Sequence, residues 1–217
     1  MPVIRELGAL PYARFLRPFE GELEVGGDYT EMHFEGGDLD HEDGGGSRIV
    51  ESALTGLTLT GVKLDRARLD DVWISKSRWI GGSWSDASLF NVTILDGALA
   101  GVQAYGGIWR KVVVEGCKVD SLNLRAAKLR DVEFRDCELT EVDFGGAELN
   151  NVTFPGSVLR RARFSKVTVK TVDFRGAREL DVVEGWDALR GAVINSGQLA
   201  EAAPALAQTL GIVVKDR

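Results

Sequence analysis

The chain has 217 residues, of which 44% are hydrophobic, 8% aromatic and 27% charged, and its formal net charge is −7. This composition suits one folded domain and excludes a disordered or low-complexity chain. The negative net charge also argues against direct binding of nucleic acid, which needs a basic patch.

The first residues and the cysteine content indicate the compartment. Arg5 and Glu6 interrupt the start MPVIRELGAL, where a signal peptide needs an unbroken apolar run. No segment approaches the roughly 18 consecutive apolar residues of a membrane span. Cys117 and Cys137 are too few for a disulfide framework. We therefore expect a cytoplasmic protein that does not bind membranes.

The charge is unevenly distributed along the chain. Residues 1–47 hold 11 acids and 3 bases, which gives −8, and residues 181–217 hold 5 acids and 3 bases, which gives −2. Residues 48–180 hold 17 acids and 20 bases, which gives +3. The excess negative charge therefore belongs to the ends of the chain.

The first 47 residues lead into a regular pattern. Residues 1–24 contain scattered large apolar side chains, which predict a short amphipathic cap. Tyr29, Phe34 and Leu39 then follow a period of five, but Gly44 stands where the next large residue belongs. We expect residues 25–47 to form an imperfect first coil with a loop bulging near residues 40–47.

The period of five continues without interruption from Ile49 to Phe174. It is clearest in the stretch RDVEFRDCELTEVDFGGAELNNVTF, residues 130–154, where an inward residue recurs at every fifth position. A helix repeats its buried side at about 3.6 residues and a strand at 2, so neither regular element fits the pattern.

A second period, of twenty residues, lies two positions before each of these centres. Every fourth such position is a valine from Val72 to Val172, and alternate columns hold small residues. A chain that returns to the same chemistry every twenty residues predicts a coil with four sides per turn. Cys117 and Cys137 share one column, which favours a buried pair of thiols over a disulfide. The centre positions also predict three core tryptophans, Trp79, Trp84 and Trp109.

The repeat resembles the pentapeptide-repeat family, whose pattern is A(D/N)LXX. The matching stretches include AELN at 147, NVTF at 151 and EVDFGGAELNNVTF at 141, and the resemblance covers roughly residues 49–178. It implies an all-β fold, a right-handed quadrilateral parallel β-helix that occupies residues 25–180. With a rise of about 4.8 Å per coil, six coils would make a rod roughly 30 Å long.

Residues 181–217 follow a different pattern. Ser196 predicts a helix N-cap, and Leu199, Ala203, Leu206 and Leu210 fall on one helical side. Pro204 is expected to split this helix or to start a second one, and Gly211 to end it before a strand at IVV, residues 212–214. An open coil end needs a cap, which residues 181–217 would provide. In the family such segments often form a homodimer, which makes Leu199, Leu206 and Leu210 candidates for a dimer interface.

No catalytic, metal-binding or cofactor-binding motif is evident, and we predict no enzymatic activity. His33 and His41 lie far from both cysteines in sequence, so no zinc or Cys/His spacing is present. The acidic stretch GGDLDHEDGGG, residues 36–46, lacks the glycine and glutamate positions of a calcium loop.

The function is therefore expected on the outside of the coil. On the valine-column side, Trp73 and Leu95 would be exposed apolar anchors unless the N-terminal cap folds over them. Ile80, Phe90, Tyr105 and Ile108 also fall at outward positions. The same valine-column side is the only one with more acids than bases, and its candidate contacts are Asp96, Glu115, Glu133, Asp136 and Asp173.

Two functions remain open at this stage. A branch of the family confers quinolone resistance by binding DNA gyrase with an acidic rod that mimics duplex DNA. This chain matches that branch in net charge, but the side with Arg68, Arg110, Lys111, Lys128, Arg130 and Lys170 is net positive. The alternative is a structural or regulatory scaffold that binds an unrelated protein through the Trp73 patch and the 40–47 loop.

Overall fold

The computed structural model describes residues 3–215. They form a β-solenoid of about eight turns, built mostly from parallel strands and closed by one C-terminal helix. Residues twenty apart in sequence pair across neighbouring turns, as Leu89 does with Leu69 and Trp109. The predicted β-helix fold is confirmed, and its turn count exceeds the predicted six because the regular coils begin before Ile49.

Each turn has four faces, which we call A to D in chain order. Face A contains strands β2 (Asp28–Thr30), β5 (Arg48–Val50), β8 (Arg68–Asp70) and β11 (Ser88–Phe90). Face B contains β1 (Arg17–Pro18), β3 (Met32–Glu35), β6 (Ala53–Thr55), β9 (Trp73–Ser75) and β12 (Thr93–Leu95). In the later turns single strands run through faces A and B, namely β14 (Ile108–Glu115), β16 (Lys128–Arg135), β18 (Glu148–Thr153) and β20 (Thr168–Asp173).

Faces C and D complete the turn. Face C contains β4 (Asp38–Asp40), β7 (Thr58–Thr60), β10 (Arg78–Ile80), β13 (Ala98–Ala100), β15 (Lys118–Asp120), β17 (Glu138–Thr140), β19 (Val158–Arg163) and β21 (Glu179–Glu184). Face D is held by single parallel bridges, from Asp43–Lys63 in the first turns to Asp143–Arg163 in the later ones. Face C thus has an unbroken ladder of strands along the rod, whereas face D has only single bridges.

The bore is filled by the side chains that carry the period of five. Phe134, Phe154 and the other later phenylalanines stack from turn to turn, with ring centroids 5.5 Å apart and planes 6° apart for this pair. Phenylalanines of face D meet them edge to face, as Phe144 does with Phe134 at 6.4 Å and 85°. The predicted core positions of Trp79, Trp84 and Trp109 are confirmed, since each is at most 1% exposed.

The corners of the coil share one backbone conformation. From Glu31 to Lys166, the residue two places after each inward centre has a positive φ, whether or not it is glycine. At such a corner the Gly56 N–H donates to the Ser75 carbonyl of the next turn at 3.0 Å. The left-handed corner thus aims a backbone donor along the rod axis, which keeps the hydrogen-bond ladder unbroken between faces.

The predicted loop near residues 40–47 is wrong. His41 N–H donates to the Thr60 carbonyl at 2.7 Å and Gly44 N–H to the Lys63 carbonyl at 2.9 Å, so this stretch continues the coil. Gly44 lacks a large side chain because Leu23 takes its place. A Cβ at Gly44 would lie 3.5 Å from the Cβ of Leu23, which is buried in the main core.

The N-terminal residues before the first coil cover two different surfaces of the solenoid. Two 3₁₀ helices, Leu7–Ala9 and Ala13–Phe15, lie against face B and not over the open end. The end itself is covered by Phe19, whose ring packs on Phe34 with centroids 4.2 Å apart. Residues 1–24 therefore divide into a part that covers a face and a part that covers the end.

The C-terminal end is closed by one α-helix, α1 (Ser196–Thr209), preceded by the 3₁₀ helix Trp186–Ala188. The N-cap is Asn195 and not the predicted Ser196, because Asn195 and Gln198 form a reciprocal capping box. The buried Gln198 amide also donates to the Phe174 carbonyl at 2.7 Å and to the Ala177 carbonyl at 3.2 Å. The Gln198 side chain therefore satisfies carbonyl groups of the last turn with hydrogen bonds that the backbone ladder does not supply.

The rest of this end follows the sequence pattern only in part. Pro204 lies inside one continuous helix, so the predicted split is wrong. Gly211 follows the helix with a φ of 71°, as predicted for its end. Residues 212–214 do not form the predicted strand, since the structure gives them no ladder partner within residues 3–215.

A glycine substitution tests the corner conformation directly. Gly56 has a φ of +65° and a Cβ there would meet nothing within 4 Å, so Gly56→Ala changes the backbone preference alone. We expect the free energy of unfolding to fall by about 1 kcal/mol in urea denaturation, because alanine disfavours the left-handed region.

Gly8→Ala is the matched control. A Cβ at Gly8 also meets nothing within 4 Å, but its φ lies outside the left-handed range. Its stability should stay the same or rise by a few tenths of a kcal/mol. Equal destabilisation by both variants would contradict a special requirement at the corner.

Candidate partner-binding surface

The expected apolar anchors on face B are buried. Trp73 is 5% exposed and Leu95 is 1% exposed, so the prediction that they face solvent is wrong. Both pack in a separate apolar cluster with Leu10 and Tyr12 of the N-terminal segment, which we define as residues 3–16. The alternative expectation, that a flanking segment folds over this patch, describes the structure.

Polar contacts fix the N-terminal segment on face B. The Trp73 indole Nε1 donates to the Ile4 carbonyl at 2.9 Å, and the Tyr12 hydroxyl donates to the Ser52 carbonyl at 3.4 Å. Burial raises the pKa of Tyr12, and the nearby carboxylates of Asp71 and Glu51 raise it further. Tyr12 therefore stays a neutral hydrogen-bond donor at physiological pH.

Three of the five candidate acids on face B are paired with arginine. Glu115 is only 6% exposed and forms an ion pair with Arg5 of the N-terminal segment, so its expected exposure is wrong. Its second oxygen lies 3.7 Å from Arg135, which also binds Glu133 at 2.5 Å. The negative charge of Glu115 and Glu133 is therefore largely neutralised by neighbouring arginines.

Asp173 lies near the C-terminal end of the same face. Its carboxylate binds Arg175 at 2.7 Å, and these hydrogen bonds lower the pKa of Asp173. Because a salt bridge reduces the field of each partner, Asp173 presents less negative charge than the sequence suggested.

Asp96 and Asp136 keep exposed carboxylates. They occupy left-handed corners with φ of 51° and 48°, two turns apart, after face B. Within residues 3–215 neither has an ion pair, and Gly116 stands at the corner between them. The acids that remain open are therefore separated along the rod, and their contact with a partner stays a prediction.

The middle turns expose large apolar side chains on three faces. Ile80 on face C is 47% exposed, Tyr105 on face D is 50% exposed and Ile108 on face A is 42% exposed. Tyr105 and Ile108 flank one corner, and the partly exposed Phe90 lies one turn earlier on face A. We call Phe90, Tyr105 and Ile108 the central patch.

Face A beside the central patch carries the basic residues predicted there. A cleft of about 290 Å³ opens on this face around Ile108, and four cations and one carboxylate line it. These charged residues are Arg110, Lys128, Arg130, Lys170 and Glu148. Apolar and basic side chains therefore share one surface.

The two cysteines occupy the bore, as predicted. Both thiols are free and buried, and the Cys137 Sγ donates to the Val114 carbonyl at 3.3 Å. The hydrogen bond with Cys117, together with burial, raises the pKa of Cys137. A buried thiol of this kind is a packing group.

Among residues 3–215, no three His, Cys, Asp or Glu side chains are placed to hold a metal ion. None of the helices in this part of the chain has the length and apolar character needed to cross a bilayer.

The three candidate dimer residues, two on α1 and Leu210 at its C-cap, divide between two sides. Leu206 lines a pocket with Phe174 and Trp186 at the end of the coil. Leu199 and Leu210 point away from the solenoid and are 51% and 74% exposed. Further apolar side chains are exposed after the helix, namely Ile212, Val213 and Val214.

Comparison with known families agrees with the coil geometry. Residues 107–164 match the family model described as a pentapeptide repeat region. Residues 107–164 therefore carry a pentapeptide repeat. No curated protein matches it.

Several solved structures resemble this chain in part. Full-length QnrB1, a plasmid-mediated fluoroquinolone resistance protein, is 16% identical with a TM-score of 0.38, and the match covers 86% of this chain and 100% of that one. Rfr23 from the cyanobacterium Cyanothece 51142 is 14% identical with a TM-score of 0.42, over 61% of this chain and 90% of that one.

A third structure is HetL, a pentapeptide repeat protein involved in heterocyst differentiation regulation in Nostoc sp. strain PCC 7120. It is 13% identical with a TM-score of 0.29, over 82% of this chain and 93% of that one. The family match over residues 107–164 agrees with the period of five seen there.

Proposed function

We propose that this chain is a non-enzymatic protein-binding solenoid whose partner contacts the central patch. The observation that carries the proposal is the exposure of Tyr105 and Ile108 at one corner, with the partly exposed Phe90 beside them. Exposed apolar groups rimmed by charged ones commonly mark a protein interface. Aromatic residues such as Tyr105 are also enriched among the residues that dominate binding energy.

The solenoid suits this role because its outer side chains stand on a fixed lattice. Each turn is hydrogen-bonded to the next, and the bore beneath the patch is packed with buried side chains such as Trp109 and Leu129. A rigid surface loses little conformational entropy when a partner binds, so modest contacts yield useful affinity.

Affinity capture tests the patch. Wild type and the double variant Tyr105→Ser/Ile108→Ser would be immobilised in a native lysate and bound proteins quantified by mass spectrometry. We expect wild type to capture specific proteins. The amount of each captured protein should be lower by about tenfold or more on the double variant, because truncation of interface anchors removes most of the affinity.

The matched control is Ile80→Ser, which removes an equally exposed apolar side chain from face C. It should retain the same proteins at wild-type levels. If all three proteins captured the same set equally, the central patch would not be the binding surface.

A second candidate is modulation of DNA gyrase or another topoisomerase by DNA mimicry. It is supported by the net charge of −7 and by the −8 concentrated in residues 1–47. The exposed acids of the first turns, including Glu35 and Asp38, lie in this region. Because Glu115, Glu133 and Asp173 on face B are paired with arginines, a surface that mimics DNA would be confined to the first turns.

A supercoiling assay tests the second candidate. Purified protein at micromolar concentration should alter gyrase supercoiling or quinolone-stabilised cleavage, and Glu35→Gln/Asp38→Asn should weaken the effect. Unchanged supercoiling and cleavage at saturating protein would remove this candidate and leave the scaffold function in place.

We also propose that the chain forms a homodimer through the outer side of α1. Leu199 and Leu210 are exposed there, and the apolar residues 212–214 follow directly. A self-complementary apolar patch is the usual basis of a two-fold dimer.

Sedimentation velocity checks the dimer. Wild type should sediment as a dimer, and Leu199→Glu/Leu210→Glu should sediment as a monomer because two charges would be buried at the interface. Ile80→Glu on face C should leave the dimer intact. A monomeric wild type at high micromolar concentration would contradict the proposal.

A further inference from the structure

Face A presents an unbalanced set of cations beside the central patch. In parallel register, Arg110 pairs with Arg130, and Ile108 pairs with Lys128. Lys128 in turn faces Glu148, with their charged atoms 3.6 Å apart. Because neighbouring turns are only about 4.8 Å apart, like charges at Arg110 and Arg130 repel each other.

The cations differ in how far the protein neutralises them. Arg130 lies 3.7 Å from the carboxylate of Asp131, but both side chains are partly exposed, so screening by water weakens the pair. Arg110 lies over the Phe90 ring, 5.7 Å from its centroid, and Lys111 lies 5.5 Å from the same centroid. Across residues 3–215, neither Arg110 nor Lys170 has a carboxylate within ion-pair distance.

The cleft on this face also offers apolar contact. Ile108, which is 42% exposed, supplies this contact at its side, whereas the side chains of Leu129 and Leu149 behind it are buried in the bore. The charged groups of Arg110 and Lys111 lie against the Phe90 ring. Phe90 extends the apolar surface by one turn. A ligand for this cleft must therefore combine negative charge with apolar side chains.

We infer that face A between Phe90 and Lys170 binds an acidic amphipathic helix of a partner protein. This inference rests on the protein-binding function proposed above and supplies the chemistry of the partner. The excess of cations selects carboxylates, and the Ile108 and Phe90 side chains select an apolar stripe beside them.

The spacing along the rod favours a helix as the bound element. Carboxylates at i and i+4 of a helix lie about 5–6 Å apart. This is close to the rise of roughly 4.8 Å between the turns that carry Arg110 and Arg130. From Arg110 to Lys170 is three turns, roughly 14 Å, which a helix spans in about ten residues. Acids on the same face of an extended peptide would be roughly 7 Å apart and would miss successive turns.

The charge of the whole surface argues against a nucleic acid as the ligand. Asp131 and Glu148 interrupt the basic residues on and beside face A, and the chain as a whole carries −7. Phosphate backbones demand a continuous positive surface. A short acidic helix needs only the few cations that the cleft supplies.

Fluorescence anisotropy with defined probes tests the inference. The first probe is a labelled helical peptide of about 16 residues with glutamates at i, i+4 and i+7 and a leucine stripe beside them. The second replaces every glutamate with glutamine. We expect the acidic probe to bind at least about tenfold more tightly than the glutamine probe, and added salt to reduce the difference.

Two charge-matched variants locate the site. Arg110→Glu/Arg130→Glu should weaken binding of the acidic probe by about tenfold or more. Lys76→Glu/Lys118→Glu changes the net charge by the same amount on exposed residues of other surfaces and should leave binding close to wild type. Circular dichroism and thermal melts would verify that both variants are folded.

Several outcomes would overturn the inference. Equal affinity for the two peptides would show that charge does not select the ligand, and equal loss in both variants would show a long-range effect. Tighter binding of a labelled DNA duplex at the same residues would assign the face to phosphates. If only the peptide tests failed while lysate capture still depended on Tyr105 and Ile108, the protein-binding function would stand without this partner chemistry.

Discussion

The structure depends on the backbone hydrogen bonds that join each turn to the next in a twenty-residue register. These bonds require the chain to bend after every fifth residue without losing a donor, which the left-handed corner achieves. The corner conformation is imposed even on residues that disfavour it, such as Lys111 and Arg161. Strain at many corners is accepted because corner N–H groups then find acceptors in the neighbouring turn, as Gly56 does at the Ser75 carbonyl and Arg161 at the Asp181 carboxylate.

The same register determines how the outside of the rod behaves. Outward side chains from successive turns are immediate neighbours, so a charge or an apolar group interacts mainly with residues twenty positions away. On face B, Arg135 pairs with Glu115 of the preceding turn and with Glu133 of its own strand, and the N-terminal segment covers the remaining apolar side chains. On face A Lys128 pairs with Glu148, but Arg110 has no carboxylate partner within residues 3–215, which leaves it and the central patch available.

Both ends of the coil show how an interrupted repeat is completed by side chains from outside it. Leu23 fills the space at Gly44, and Phe19 covers the first aromatic residues of the bore. At the other end Gln198 supplies donors to the carbonyls of the last turn. A solenoid buries its core only between turns, so its terminal turns need such contributions.

The sequence by itself determined the architecture, because a period of five combined with a period of twenty fixes which side chains face inward. It therefore placed the later phenylalanines, Trp79, Trp84, Trp109 and the two cysteines in the bore. It did not determine which outward residues stay exposed, since Trp73, Leu95 and Glu115 are covered by a segment about 60 to 110 residues away in sequence. Only the tertiary structure decided this, because contacts between a non-repeating segment and a repeating face leave no periodic signal. The filling of the Gly44 gap by Leu23 was hidden for the same reason, whereas the capping box of Asn195 and Gln198 is a local signal that the sequence does carry.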